Sequence, residues 1–353
     1  MRIAYLVGWP EGPSSGPFKK IRSQTAAWAA EGVEVGLFVL TIDRYADDWR
    51  ALPAAQRVVS RARGPALAFQ KESLINAARR WHPDVIYHRW SLTYPGLVRV
   101  AGSQAVVLEI NTDDVVEYDL MTPLKGRVNR LTRGLVLRRA AGLAFVTGEL
   151  ARAPGFSRYG RPSVVVANGI DLDDVPAQPA PANARPRLLF IGQPNCPWHG
   201  LDKLAALASL QPRWDFDVVG PPAAEVPTAP RNMTFHGLLP ADDYARLLGA
   251  ADIGVGTLAL HRKGIAEASP LKVREYLATG LPVINGYVDT DFPSGAPFLL
   301  TLPNTDDNIQ SAGTQIATFV DDWTGRRVAR SEVAHLDQRA KERVRLDFFR
   351  SLL

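Results

Sequence analysis

The sequence predicts an α/β protein made of two doubly wound, mainly parallel sheets in tandem. Three observations carry that expectation. Short apolar runs alternate with longer stretches of helical period, the rhythm breaks at a proline-rich segment and restarts after residue 186, and 353 residues exceed the ~150 that one domain commonly organises.

The first set of candidate strands is 2–8, 34–40, 84–90, 105–111, 142–148 and 163–169. Valine, leucine, isoleucine and aromatic residues fill most of these runs, as in strands covered on both faces, and the chain between most of them is long enough for a crossover helix. The second set is 187–192, 216–220, 233–237, 251–258 and 281–286. Between the sets, 176–186 carries Pro176, Pro179, Pro181 and Pro186 with little to bury, and reads as a linker between domains at 1–175 and 187–334. The tail, 335–353, has a helical pattern ending in Phe348, Phe349, Leu352 and Leu353. Ligands of doubly wound folds bind at the carboxyl ends of the strands, so functional residues are sought there.

Composition narrows the function classes. No window approaches the ~20 apolar residues of a membrane span, and MRIAYLVGWPEGP meets proline and glutamate too early for a signal peptide, so it reads as a first strand and its loop. Cys196 is the single cysteine, which rules out an internal disulfide and suits a reducing, cytoplasmic setting. Charge is uneven: residues 1–175 hold 23 lysines and arginines against 17 acids, and the remainder 18 against 19. Within the basic half, Lys125, Arg127, Arg130, Arg133, Arg138 and Arg139 accompany an apolar stripe of Leu124, Val128, Leu131 and Leu135. A basic amphipathic helix over 124–139 follows, suited either to an anionic membrane surface or lipid-diphosphate acceptor, or to ordinary packing of its stripe in a core. Nucleic acid is not an expected partner, because no aromatic-interleaved basic strand or zinc-ligand set accompanies the charge.

Residues 267–284, EASPLKVREYLATGLPVI, are the richest in chemistry. Ser269 reads as an N-cap and Pro270 as the first helical residue, with Gly280 and Pro282 as the stop. Val273, Tyr276 and Leu277 share one face; Lys272 and Glu275 lie on another, and Glu267 sits in the loop before the helix. A helix N-terminus attracts anions, and Lys272 in its first turn opposes the usual acidic preference there. A bound anion such as a diphosphate is therefore expected nearby.

The spacing Glu267-x7-Glu275 with the trailing GLPVI resembles the signature of retaining GT-B glycosyltransferases of group 1, family 4. That resemblance implies two Rossmann-like domains facing across a cleft, with the C-terminal helix packed back on the first. It also implies transfer of a hexose-type sugar from a nucleotide diphosphate sugar to an acceptor hydroxyl, in bacterial surface polysaccharide or glycolipid assembly. Glu267 would contact the donor hexose and Glu275 the ribose diol, with Ser269, Pro270 and Leu271 forming the helix start beside the phosphates. ANGIDLDDV (167–175) resembles the turn closing the first domain, where Asn168 and Gly169 would supply a left-handed turn. In RLLFIGQPNCPWHGLDKL, Gln193 and His199 stand where relatives place two cations on the diphosphate. Arg262, Lys263 and Lys272 are the candidates to replace that charge, and WHG with LHRKG resembles a subset of the family.

In the first half, the loop after the first strand holds Gly8, Gly12 and Gly16, then Lys19, Lys20 and Arg22 at the start of a helix. Gly16 matches the glycine whose backbone meets the donor phosphate in relatives, and Pro17 removes the next N–H. The spacing is not G-x-G-x-x-G, so dinucleotide binding is not expected. Arg89 falls about where many relatives carry an active-site histidine, with His88 one residue earlier. Strand alternation lets only one face the site, and Arg89 is favoured. Glu109 and Asn111, at another strand end, are acceptor-side candidates. No cofactor and no metal are expected: the D-x-D strings, Asp171 with Asp173 and Asp289 with Asp291, lie outside the pattern of metal-dependent transferases, and no His/Cys cluster has ligand spacing. The rival class is a non-catalytic sugar-nucleotide-binding or partner subunit, suggested by Gln193 and His199; a Rossmann oxidoreductase is a formal third.

Overall fold

A computed structural model of the chain describes residues 1–13, 15–61 and 67–353; position 14, in the glycine-bearing loop, lies outside them. The chain forms two compact units, residues 1–169 with 338–353, and residues 170–337.

The first unit is a seven-stranded sheet of β1 (Arg2–Gly8), β2 (Glu34–Thr41), β3 (Gln56–Arg61), β4 (Val85–Arg89), β5 (Ala105–Ile110), β6 (Gly142–Phe145) and β7 (Ser163–Val165). All pairings are parallel, in the order β3-β2-β1-β4-β5-β6-β7, so the winding reverses between β1 and β4. That reversal opens a crevice at the carboxyl ends of the strands. Leu6, Leu40, Ile86 and Leu108 pack on one face with Leu74 and Ile75 of the Leu67–Arg80 helix and Leu97 of the Pro95–Ala101 helix. Tyr5, Val7, Leu37 and Tyr87 pack on the other with Phe18 and Trp28 of the Gly16–Ala30 helix and Leu346 and Phe349 of the Gln338–Arg350 helix. Leu346 and Phe349 are fully buried, each contributing about 1.5–3 kcal/mol. Polar contacts add to this seat: Trp28 Nε1 donates to Glu342 at 2.7 Å, and Arg345 Nη1 donates to the Tyr87 hydroxyl at 2.6 Å.

The second unit repeats the plan with β8 (Arg187–Ile191), β9 (Asp215–Val219), β10 (Met233–Gly237), β11 (Ile253–Val255), β12 (Glu267–Ala268), β13 (Val283–Asn285), β14 (Val288–Asp289) and β15 (Leu299–Thr301). Its main sheet runs β10-β9-β8-β11-β13-β15, all parallel, and β12 pairs only with β14. The reversal here lies between β8 and β11.

The two doubly wound sheets meet the expected fold class, and several local expectations need correction. β3 escaped notice because QRVVSR is a half-polar edge strand with one neighbour; β12, β14 and β15 are only two or three residues long. β11 ends at Val255, not 258: Leu258 N donates to His199 O at 3.1 Å and Ala259 N to Trp198 O at 3.2 Å, turning the chain onto the loop after β8. The segment 176–186, read as a linker, is tied down inside the second unit. Gln178 N donates to Thr279 O, Asn183 Nδ2 to Asp252, and Arg327 Nε to Pro179 O. Neither Asn168 nor Gly169 takes a positive φ. Gly169 is needed for closeness instead, since a Cβ there would stand 3.0 Å from the Gln338 Cα.

Candidate functional site

The second unit's candidate site is built on the Leu271–Thr279 helix. Its N-cap is Pro270, in extended conformation, so the helix starts one residue later than the sequence suggests. Ser269 is buried and its hydroxyl accepts from Arg274 Nη2 at 2.8 Å. Gly280 ends the helix at φ +90°, where a Cβ is strained. Val273, Tyr276 and Leu277 form the buried face as expected. The Tyr276 hydroxyl accepts the Ile191 N–H at 2.9 Å, and Gly254 leaves the space that its ring fills. One turn earlier Lys272 turns inward: its Nζ donates to Ile191 O at 2.9 Å and stands 4.2 Å from the centre of the Phe190 ring. Burial of the ammonium pulls its pKa down to about 7.

Around that lysine the loop after β8 places His199, in a single turn that closes on left-handed Gly200. The His199 Nδ1 accepts the Gln193 N–H at 3.4 Å. Burial, then the charges of Lys272 and Lys263, lower the imidazole to about 3, so it is neutral at pH 7 and carries its proton on Nε2. Gln193 is exposed at the loop surface. Lys263 stands 4.7 Å from the centre of the Trp198 ring. Arg262 is committed elsewhere, gripping Asp202 with two bonds of 2.9 and 2.7 Å and donating to Pro197 O at 2.8 Å. Of the three expected replacements for the missing cations, Lys263 and Lys272 are therefore the ones beside His199, and Arg262 ties loop to helix.

Glu267 opens β12 and is held in register opposite Val288 of β14. Glu275 accepts a hydrogen bond from the Tyr244 hydroxyl, whose pKa is raised by burial and then by that carboxylate. Sequence reasoning missed Arg274, which is fully buried. Its guanidinium donates to Asp289 at 2.7 and 2.9 Å and lies 3.0 Å from Asp291. The second D-x-D string thus faces a guanidinium, and Arg274 joins the helix carrying Glu275 to the strand pair carrying Glu267.

In the first unit the polar residues cluster at the ends of β1, β4 and β5. Glu109 is 2% exposed, accepting from Lys20 Nζ at 2.7 Å and from the Tyr5 hydroxyl at 2.7 Å, with Arg89 at 3.5 Å. Burial alone would raise its pKa, but Lys20 and then Arg89 hold the carboxyl well below its usual range. Both oxygens are taken, so the acceptor-side role expected of Glu109 becomes one of fixing its cations. Lys20, in the first turns of the Gly16–Ala30 helix, is buried and also donates to Asn111 Oδ1 at 3.0 Å. Arg89 lies on the Tyr5 face, 5.3 Å from the centre of the Trp9 ring. His88 lies on the opposite face with its Nε2 3.1 Å from the Tyr94 hydroxyl, and burial with the Lys71 charge lowers it to about 3. Gly16 begins the Gly16–Ala30 helix, capped by Ser15, whose hydroxyl accepts the Phe18 N–H at 3.4 Å. First-turn N–H groups have no intrahelical acceptor.

The basic helix is Pro123–Leu137, and its apolar stripe faces outward: Leu124 is 71% exposed and Leu131 82%, with Val128 and Leu135 exposed between them. The buried side is Gly126, Asn129, Arg133, Val136 and Leu137. Arg133 is not a surface charge, since it holds Asp114 with bonds of 2.8 and 2.7 Å. Arg130 pairs with Asp119, leaving Lys125, Arg127, Arg138 and Arg139 exposed beside the stripe. Among the described residues no helix is long and apolar enough to cross a membrane.

No protein-family description and no curated protein matches the sequence. Solved structures do match in fold. Sucrose-phosphate synthase of Thermosynechococcus elongatus is similar with a TM-score of 0.69 at 17% identity, covering 99% of this chain and 96% of that one. The lipopolysaccharide outer core galactosyltransferase WaaB matches at 0.67 and 12% identity over the whole of both chains. Anabaena HepE, in complex with UDP-glucose, matches at 0.65 and 16% identity over 99% of this chain and 100% of that one. The chain therefore has the GT-B fold of these glycosyltransferases.

Proposed function

We propose that the chain is a retaining glycosyltransferase that moves a hexose-type sugar from a nucleotide diphosphate sugar to an acceptor hydroxyl, without a metal or other cofactor. One observation carries this reading. The Leu271–Thr279 helix sets Lys272 beside neutral His199 over the end of β8, holds Glu275 one turn later, and is joined by Arg274 to the strand pair bearing Glu267. In this reading Glu275 takes the ribose diol, Glu267 orients the sugar hydroxyls, and charged hydrogen bonds of this kind contribute about 1.5–3 kcal/mol each. The helix start at Ser269, Pro270 and Leu271, with Lys272, Lys263 and the His199 Nε2–H, receives the diphosphate and stabilises charge as it develops there.

Transfer breaks the bond between the sugar C1 and the diphosphate oxygen, and the electron pair leaves with the diphosphate. The acceptor oxygen bonds to C1 on the same face, and its proton passes to the departing phosphate oxygen. No protein nucleophile is needed. Arg89 and Asn111 serve the acceptor side, with Glu109 positioning Arg89. The galactosyltransferase and UDP-glucose descriptions of the fold neighbours favour this class of chemistry. The outward leucine stripe and its flanking bases favour a lipid-linked sugar acceptor met at the cytoplasmic membrane face, in polysaccharide or glycolipid assembly.

The test is a thermal-shift panel of UDP, GDP, dTDP, ADP and NAD with matched nucleotide sugars, run beside E275A. Ligand at 100 times its Kd stabilises by about 2.7 kcal/mol. A shift with one nucleotide family, lost in E275A, supports the transferase. Silence across the panel would overturn it.

A further inference from the structure

The first unit contains a cavity of about 220 Å³ at the carboxyl ends of β1, β2 and β4, on the sheet face opposite Tyr5 and Arg89. Leu6, Leu40, Leu74 and Trp9 make its wall largely apolar. Polar side chains interrupt that wall, among them Thr41 and Lys71. Thr41 is fully buried, and its hydroxyl has no hydrogen-bond partner among the described residues. Lys71 brings an ammonium 5.5 Å from the centre of the Tyr94 ring, and among the described residues no carboxylate lies within ion-pair distance of it. His88, also on the wall, is neutral and offers no competing charge.

Size and chemistry limit the occupant. A cavity of about 150 Å³ holds benzene, while complete ligand pockets run from about 300 Å³ upward, so this one seats part of a molecule. A hexose would set hydroxyls against Leu6, Leu40 and Leu74 without partners. An apolar group of one or two rings, or two isoprene units, avoids that penalty. An attached anionic oxygen group satisfies Lys71.

We propose that this cavity anchors the acceptor by an apolar segment adjoining an anionic oxygen group, an assignment that rests on the transferase reading above. Two sources share that chemistry, an aryl carboxylate and an isoprenyl phosphate. The probes are 2-naphthoate and geranyl phosphate, each beside its neutral alcohol, 2-naphthylmethanol and geraniol, with glucose as a third control. Titration calorimetry on the full chain is expected to give at least one acid binding tenfold or more tighter than its alcohol. The acid that shows this preference identifies the source. K71M should weaken that acid about tenfold while leaving the alcohol within twofold, and K71R should retain the preference. Equal binding of acid and alcohol, indifference to K71M, or tight binding of glucose would each overturn the assignment. The nucleotide panel on the same samples separates the failures. A nucleotide shift without probe binding rejects this subsite alone, and probe binding without any nucleotide shift rejects its role as an acceptor site.

Discussion

Lys272 and Tyr276, one turn apart on a single helix, hold the two polar groups of Ile191: the ammonium donates to its carbonyl and the phenol accepts its N–H, both at 2.9 Å. The last residue of β8 is thereby fixed beneath the helix start. The lysine is in turn held in place but short of solvent.

That lysine predicts opposite pH dependences for stability and binding. Its pKa is about 7 when folded against 10.5 when solvated, so the unfolded chain binds more protons between those values. The stability contribution of Lys272 therefore rises with pH across that window, and K272M should melt higher than the parent near pH 7 with the advantage fading toward pH 10. Nucleotide diphosphate binding goes the other way, because it favours the ammonium. Its Kd should weaken up to about tenfold per unit above pH 7, with proton uptake seen by calorimetry in buffers of different ionisation enthalpy, and K272M should lose the slope. A flat profile without proton uptake counts against Lys272 as the phosphate cation.

Arg274 should be the most costly single charge to remove. R274M leaves Asp289 buried and unpaired with Asp291 beside it, a loss of about 3–5 kcal/mol in urea unfolding. R274K should recover little of this, since one ammonium does not reproduce the forked pair with Asp289. A loss below about 1 kcal/mol would contradict the geometry.

Tyr244 positions Glu275 without any need to touch the donor. Y244F should weaken the nucleotide thermal shift only in part, by several-fold in Kd, whereas E275A abolishes it. Equal effects of the two substitutions would mean that the phenol itself meets the ligand.

The outward stripe predicts adsorption to anionic bilayers. Vesicles containing phosphatidylglycerol should sediment the protein at low salt and pure phosphatidylcholine should not, each exposed base near the surface contributing about 1 kcal/mol. The double variant L124E/L131E should abolish sedimentation with an unchanged melting temperature, because both side chains already face solvent. Sedimentation that persists in this variant would assign the attraction to charge elsewhere.

Much of the fold was legible because strands covered on both faces, such as RIAYLVG and EVGLFVL, are written in uninterrupted apolar residues. The Leu271–Thr279 helix was legible to within one residue from Pro270 and Gly280. What stayed hidden depends on partners distant in sequence. Arg133 was counted in a basic helix face because Asp114 belongs to another helix, and the buried Lys20–Glu109 pair spans 89 residues. The same pairing decides which face of the 123–137 helix is buried: Asn129 and Arg133 have buried partners, so the leucines lie outside. The lowered pKa of Lys272 arises from enclosure, and the uncharged His199 from enclosure and the charges of Lys272 and Lys263, which residue order does not encode.

The return of Gln338–Leu353 to the first unit also sets an order of events during synthesis. A ribosome delivers residues 170–337 before the segment that covers Trp28 and Tyr87, so the second unit can fold while the first still lacks Leu346, Phe349 and the Arg345 contact to Tyr87. The usual N-terminal-first sequence of domain folding is reversed in its final step. Until that moment the nascent chain shows an aromatic seat to solvent, and a stop before residue 338 would leave it permanently open.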